Sequence, residues 1–437
     1  MFLLKYFFGI VLIISTSLSQ GYFNGYGVGD TQNWTSASVS GASSIGLVPS
    51  YRNNISLSNP TTWSNLKFTF LSISYNGFES SLKNSKNGYS NLQSAQLIIP
   101  IKNRHSLGIE LHPYSYQKIE LLDSLGNVIA FGDTLTLKKQ FLQAGGIMAF
   151  DISASTSIFS STTLGMTFQL LFGSSRQNSN LLVDEIPYTI SSRLNYSGVN
   201  TLMFLKQNIF GFDFYFKSQL PLKPLSATQT KLHPYFDTNM NDYHDNSFYG
   251  SEGASGYDFP HPNDVPGPVV KKVLDIHEPS SFSIGFSNVV HNRLQLSLEL
   301  QKNKENSKYN ENLLNNFNKR VVGSDKLSFG VVLFPSEQSF KFLDNFVFRT
   351  GLSLNSFSLD ELEESVNERK KSNYEAIEFG YTVGFGYKFG PLGNQIDFTY
   401  ASSRKSYDSP IAVEERLKGF QVSISISDIW FIKRRQR

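Results

Sequence analysis

The sequence predicts an all-β protein: a closed antiparallel transmembrane β-barrel of about 14 strands with an N-terminal hatch segment in its lumen. Three observations predict this fold class. Strand-like stretches alternate apolar and polar residues, the gaps between them alternate between long and short, and a secretory signal precedes them. Together they indicate an exported sheet that closes around a polar interior.

The clearest alternation is AIEFGYTVGFGYKFG at 376–390, where every second residue from 377 to 389 is apolar or aromatic. This period predicts a strand with one apolar face and one polar or small face. FGFDFYFKSQL at 210–220, RLQLSLELQ at 293–301 and FQVSISIS at 420–427 repeat it. The polar faces would carry five charged side chains inward: Asp213, Lys217, Glu299, Glu378 and Lys388.

A dry core would hardly accept so many charges without partners, whereas a wet lumen accepts them, so the apolar faces are predicted to contact lipid. We therefore expect an arginine to be tolerated better at lumen-facing Gly384 than at lipid-facing Phe385, provided that the lumen has room for it. A secreted soluble sandwich would also show alternation. The charged inner faces favour the membrane barrel.

The gaps between the strands also follow the pattern of an outer-membrane barrel, with long external loops and short periplasmic turns. The gaps at 102–105 and 390–394 are short, and the longest gap is 221–279. Every backbone polar group must be paired in hydrocarbon, so a spanning sheet has to close. We assign residues 64–428 to the barrel and 429–437 to a periplasmic tail.

Residues 1–19 have the layout of a signal peptide: Lys5, an apolar run, then small residues. No later apolar run approaches the ~20 residues of a membrane helix. The chain has no cysteine and a net charge of +3, which excludes disulfides and argues against a nucleic-acid partner. No spacing singles out a catalytic set, so neither an enzyme nor a cofactor is expected. The predicted location is the bacterial outer membrane, in contact with its lipid and with both termini periplasmic.

Residues 20–63 are rich in small residues and lack the strand period. We expect them to fold as a hatch inside the barrel mouth, because glycine permits close backbone approach. The alternative is a disordered leader. Asn59 and Pro60 would form the hinge between the hatch and the first strand, since proline presets a turn.

Several stretches resemble the long-chain fatty acid transporter (FadL-like, TodX-type) family of outer-membrane barrels. They are GYGVGD at 25–30, which contains Gly27, Gly29 and Asp30, SVSGASSIGLV at 38–48 and SLSNPTTWSNLKFTF at 56–70. Asn59 and Pro60 match the family's Asn-Pro-Ala signature, with Thr61 in place of alanine. The ending SISDIWFIKRR is similar to the Bacteroidetes-type branch.

The resemblance implies passive uptake of hydrophobic small molecules, fatty-acid-like or aromatic, through a barrel gated by its hatch. The family's ligand-binding residues lie in loops that match this sequence poorly, so none is carried over. Some relatives in the same branch are accessory barrels of type IX protein secretion. A secretion-system protein that binds the loops is therefore the alternative partner.

One loop segment has the spacing of a calcium site. DTNMNDYHD at 237–245 places the oxygen donors Asp237, Asn239, Asn241 and Asp245 at alternate positions. Asp242 stands where such a loop needs glycine, and Phe248 stands where it needs a bidentate glutamate. We therefore expect a solvated external loop and predict no metal site, with calcium as the alternative.

Overall fold

A computed structural model describes residues 22–31, 35–82, 85–101, 104–130, 133–183, 186–245, 258–290, 293–307, 319–335, 342–364, 369–389, 394–408 and 413–428. Fourteen strands form one closed antiparallel barrel, so the predicted fold class is confirmed. In chain order the strands are β1 (Thr69–Leu82), β2 (Ser85–Ile101), β3 (His105–Tyr116 and Ile119–Ala130), β4 (Asp133–Phe159), β5 (Thr162–Val183), β6 (Ile186–Ile209), β7 (Phe212–Lys231), β8 (Val269–His277 and Pro279–Val290), β9 (Leu294–Glu305), β10 (Lys319–Leu333), β11 (Phe346–Glu364), β12 (Arg369–Phe389), β13 (Asn394–Asp408) and β14 (Val413–Asp428).

The barrel closes between its last and first strands. β14 pairs with β1 from Asp428 opposite Thr69 to Glu415 opposite Leu82. β3 and β8 are each interrupted, but both pieces of β3 pair with β4 and both pieces of β8 pair with β7. Their interruptions therefore leave the ring of paired strands unbroken.

We call the two ends of the barrel the turn end, where Thr69 and Asp428 lie, and the far end, where Leu82 and Ala130 lie. At the far end the structure differs from the predicted long loops, because strand pairing continues through much of them. β1 and β2 fill 76–91 except for 83–84, and β7 continues to Lys231 inside the predicted gap 221–279. Strands pair through their backbones, so pairing does not require alternating apolar residues. The strands therefore continue beyond the last outward-facing apolar side chains.

The alternating apolar side chains lie on the outer surface. In β12, Phe379 and Phe385 are 53% and 45% exposed, whereas Thr382 between them is buried. β4 has 27 residues, well beyond the about 9–11 residues that span a bilayer. Much of the sheet toward the far end therefore continues past the band of outward-facing apolar side chains.

Short elements complete the fold. The hatch contains a 3₁₀ helix at Tyr22–Gly25, a two-residue strand at Asp30–Thr31 and the helix α1 at Ala37–Ser40; a further 3₁₀ helix begins within it at Pro60–Asn65. The others are a strand at Tyr235–Phe236 and 3₁₀ helices at Pro262–Asp264 and Phe342–Asn345. In the described parts of the chain, no helix has the length and apolar character needed to cross a membrane.

The hatch lies in the lumen and contributes to every apolar cluster found among the described residues. Tyr51, Leu57 and Trp63 pack with Phe70 of β1 and Ile98 of β2. Further along, Leu47 and Val48 pack with a second cluster on β6 and β7. The hatch therefore fills the lumen, and its contacts with the barrel wall form the candidate site.

Candidate functional site

The predicted hinge, Asn59 and Pro60, is a buried anchor. The Asn59 amide oxygen accepts hydrogen bonds from the Thr61 N–H and hydroxyl at 3.1 and 2.7 Å, and its nitrogen donates to the Leu47 carbonyl at 2.8 Å. Pro60 begins the 3₁₀ helix, and its carbonyl accepts from the Ser155 hydroxyl of β4 at 2.7 Å. The side chain of Asn59 therefore closes the end of the hatch on itself while Pro60 ties it to the wall.

Glu299 of β9 holds the middle of the hatch. Its carboxylate accepts hydrogen bonds from the backbone N–H groups of Ile45, Leu47 and Val48 at 2.5, 3.0 and 2.9 Å. Glu299 is 1% exposed. A carboxylate that meets three N–H donors is a strong, charge-assisted attachment. The alternation in the sequence predicted that Glu299 points inward, and the structure shows that its partners are the three N–H groups of the hatch.

Arg349 of β11 and Asp397 of β13 form a second attachment that the sequence predictions missed. Their side chains are 0% exposed, and Arg349 Nη1 lies 2.7 Å from Asp397 Oδ1. Arg349 Nε donates to the Ser50 carbonyl at 2.7 Å. The alternation rule that selected Glu299 also places both residues inward. That rule could have found them, although not their pairing.

The hatch residues nearest the N-terminus lie toward the far end. Asp30 pairs with Tyr116 of β3. Gly29 has φ +88°, and a Cβ there would lie 2.3 Å from the Tyr116 carbonyl oxygen, so this position requires glycine. Gly27 has φ +53° and lies beside Arg320. The expectation of two periplasmic termini concerns residues outside the described ranges, 1–21 and 429–437.

A cavity of about 410 Å³ lies between hatch residues 23–31 and the wall. Its lining combines aromatic and charged side chains, among them Phe23, Tyr114, Lys326, Phe357, Glu378 and Lys405. Lys405 Nζ lies 4.1 Å from the Phe23 ring centroid and 3.8 Å from Glu378 Oε2. Lys326 also lines the cavity, where Glu378 and Glu299 are the acidic side chains that attract its charge. The cavity can therefore receive a molecule with an apolar body and one anionic end.

The structure does not bring the other predicted lumen residues into one site. Lys217 lies on β7 with its ammonium 5.9 Å from the Phe204 ring centroid. Asp213 is near the turn end, 3.6 Å from Lys206 Nζ. Lys388 of β12 is opposite Gln395 of β13, also near the turn end. Of the five charged residues proposed for the interior, Glu378 lines the cavity and Glu299 holds the hatch.

A chain of side chains crosses the lumen beside the cavity. The Tyr114 hydroxyl of β3 is 2.8 Å from His277 Nε2 of β8, and His277 Nδ1 pairs with Glu305 of β9. Burial alone would raise the pKa of Glu305, but His277 and the N–H groups of Glu278 and Ser307 hold it at about 2. The two sides of the barrel are thus joined by a polar bridge.

The residues of the calcium alternative mostly bind one another. Asn241 donates from its amide nitrogen to Asp245 at 2.9 Å, and Asp237 accepts the Asp242 N–H at 2.8 Å. Asn239 donates to Asp245 at 3.3 Å. Within the described residues, no group of three acidic or histidine side chains has the geometry to hold a metal ion.

The sequence matches the model of the BamG family over residues 3–436. The chain belongs to the BamG family. No curated protein matches it.

Solved structures resemble this BamG family member in fold. A FadL homologue of Pseudomonas aeruginosa has a TM-score of 0.57 at 12% identity, covering 92% of this chain and 100% of its own. The CymD monoaromatic hydrocarbon channel has a TM-score of 0.50 at 11% identity, over 91% and 98% of the two chains. The Ralstonia pickettii toluene transporter TbuX has a TM-score of 0.50 at 11% identity, over 90% and 98%. At these identities the likeness establishes the shared barrel fold.

Proposed function

We propose that this chain is an outer-membrane channel for passive uptake of hydrophobic small molecules, fatty-acid-like or aromatic, gated by its hatch. The observation that carries the proposal is the cavity between the hatch and the wall, with Phe23 of the hatch as part of its lining. A ligand in this cavity touches the segment that closes the lumen. On its terminal sequence motifs we place the protein in the Bacteroidetes-type branch of FadL-like barrels.

The composition of the cavity supports an amphiphilic ligand. Phe23 and Phe357 meet edge to face, with centroids 5.0 Å apart, and offer apolar surface. Lys326 offers a cation to a carboxylate or another anionic end. Glu378 is engaged by Lys405 and by the Ser403 hydroxyl at 2.6 Å, so its negative charge is already matched.

The wall offers a route to this cavity. β2 pairs with β3 between 95–101 and 105–111, although β2 begins at Ser85 and β3 continues to Ala130. In the described residues no further pairing joins these two strands beyond Ala95 and Leu111. The strand Asp30–Thr31 of the hatch pairs with Ser115 and Tyr116 of β3 just past this point. We propose that ligands enter here from the outer leaflet.

Binding of a fluorescent fatty acid analogue to detergent-purified protein, followed by anisotropy, tests the proposal. Lys326→Glu places a second negative charge beside Glu378 and should weaken binding roughly tenfold or more. Lys302→Glu is the matched control, because Lys302 is 76% exposed and pairs with Asp325 outside the cavity. Wild-type affinity in both variants contradicts the assignment of the cavity.

The second candidate is an accessory barrel of a type IX-like secretion system, with a protein partner bound at the far end. The observation that favours it is the length of the strands, 24 residues in β6 for example. On β8, Val269 and Val270 are 66% and 65% exposed. If this candidate is correct, the protein should co-purify with a large complex that Val269→Asp with Val270→Asp releases. Unchanged co-purification counts against a partner at β8.

A further inference from the structure

We propose that the outward surface of β13 and β14 binds the phosphate groups of a lipid in the leaflet at the far end of the barrel. The site is a cluster that we call the basic patch and define by Arg404, Arg416 and Lys418. The proposal goes beyond uptake of hydrophobic molecules and does not depend on it, because it concerns the surface outside the lumen.

The basic patch lies on the outward face of the wall. The side chains of Arg404 and Arg416 are 63% and 64% exposed, and Lys418 is also exposed. Lys405 and Glu415, which adjoin the arginines in the chain, are buried and line the cavity. Because successive side chains of a strand point to opposite faces, the arginines point away from the lumen.

The two arginines repel each other across the sheet. Arg404 of β13 is directly opposite Arg416 of β14, and like charges in this arrangement destabilise a sheet. Glu414 offsets part of the repulsion, because its carboxylate accepts hydrogen bonds from Arg416 Nε at 2.9 Å and from Arg404 Nη2. Two guanidinium groups thus share one carboxylate, so the pair keeps a net positive charge that an anion would neutralise.

The contacts with Glu414 orient both guanidinium groups and leave donors available. Among the described residues, no partner is found for the terminal nitrogens of Arg416 or for Nε and Nη1 of Arg404. Lys418 follows Arg416 on the same face and is opposite Glu79 of β1. The planar fork of arginine matches the oxygens of a phosphate group and can bind two of them at once. The basic patch therefore has the chemistry of a phosphate site.

Aromatic side chains lie next to the basic patch on the side of the turn end. Tyr400 is opposite Phe420, with ring centroids 5.3 Å apart, and Phe420 is 66% exposed. Ile424 and Ile426 continue the outward apolar surface of β14. Aromatic and basic side chains mark the level of lipid headgroups on a membrane protein. A phosphate at the basic patch can therefore carry acyl chains that lie along this surface, which favours a lipid over a soluble anion.

The positive charge is confined to two strands. In the row of the two arginines, the neighbour on β12 is Phe379 and the neighbour on β1 is Ser81. Neither carries a charge, so the arginine pair is a local cluster and not part of a continuous charged belt. A local cluster fits a single headgroup better than it fits a diffuse layer of counterions.

Native mass spectrometry of detergent-purified protein, titrated with lipid A that carries two phosphates, tests the proposal. Arg404→Gln with Arg416→Gln should weaken binding roughly tenfold or more, because charge-assisted hydrogen bonds are lost. Arg404→Lys with Arg416→Lys keeps the charge without the fork and should recover part of the loss. The matched control is Lys272→Gln with Lys302→Gln, which removes the same charge from exposed positions of β8 and β9 and should bind as the wild type does. Folding of each variant is checked by heat-modifiable migration.

Two further probes distinguish the sources of phosphate. Lipid A with one phosphate should bind the wild type more weakly, and glycerol 1-phosphate, which has no acyl chains, should not compete with lipid A. Wild-type affinity in the glutamine variant, or an equal loss in the control, overturns the proposal. Competition by glycerol 1-phosphate would instead assign the basic patch to a soluble anion. Loss of a co-purified protein from the glutamine variant, with lipid binding unchanged, would assign it to a protein partner, and either result also overturns the proposal.

Discussion

The outward face of the barrel wall restricts the choice of amino acid less than the inward face does. On β12, Phe385 points outward and is 45% exposed. Its neighbour Gly384 points inward, where a Cβ would lie 3.0 Å from the Gly41 Cα of the hatch. The outer face needs only apolar character, whereas each inner position must fit a particular part of the hatch. Inner substitutions should therefore have larger and more varied effects.

The largest effect is expected at Glu299. Glu299→Ala leaves three buried N–H groups without an acceptor, each of which costs about 1–3 kcal/mol. The free energy of unfolding should fall by about 3 kcal/mol or more. Urea titration of protein folded into lipid vesicles measures it.

Two variants control this result. Glu299→Gln keeps one acceptor oxygen and should recover part of the loss. Leu300→Val changes the next residue of β9, which is outward and 51% exposed, and should shift stability by less than about 1 kcal/mol. If Glu299→Ala costs no more than Leu300→Val, the three bonds do not hold the hatch.

An arginine at each of two adjacent positions tests the two faces directly. Phe385→Arg should lower folding stability in vesicles by about 2–4 kcal/mol if it lies at mid-membrane. Alternation predicts better tolerance of Gly384→Arg only if the lumen has room, and in the structure the Thr399 hydroxyl and Gly41 leave no room at this position. Gly384→Arg should displace the hatch and raise conductance in planar bilayers. Unchanged conductance with normal folding argues against the observed hatch packing.

The same difference explains what could be predicted from the sequence. The outer alternation is a local pattern, because the outward direction of Phe379 and Phe385 can be read from the residues next to them. That pattern was enough to predict strands with one apolar face and a closed barrel. The inner contacts join distant residues. Val48 and Glu299 are 251 positions apart, and Arg349 and Ser50 are 299 apart. No local period encodes such pairs, so the attachments and the cavity required the structure.

Strand length was missed for a related reason. On β5 the alternating apolar side chains that face outward run from Leu164 to Phe172, and these two end residues are 41% and 46% exposed. Beyond that band the strand continues to Val183 with polar residues on both faces. Hydrogen bonds between backbones maintain the sheet there, and they leave no signature in the sequence.

The smallest effect is expected from pH, at the inner carboxylate of Glu305. It lies beyond Leu300, the last exposed apolar side chain of β9, and its pKa is held at about 2, below the ordinary 4.5, by His277 and two N–H groups despite burial. Because the folded-state pKa is depressed, the stabilisation is complete above about pH 5 and is lost as the pH falls toward 2. At 1.36 kcal/mol per pKa unit its upper limit is about 3 kcal/mol. Urea titrations at pH 6 and pH 3 should therefore show a larger loss for the wild type than for Glu305→Gln. Glu79→Gln, an exposed carboxylate on β1, should keep the wild-type dependence, and equal behaviour of all three proteins would show that the Glu305–His277 pair does not stabilise the fold.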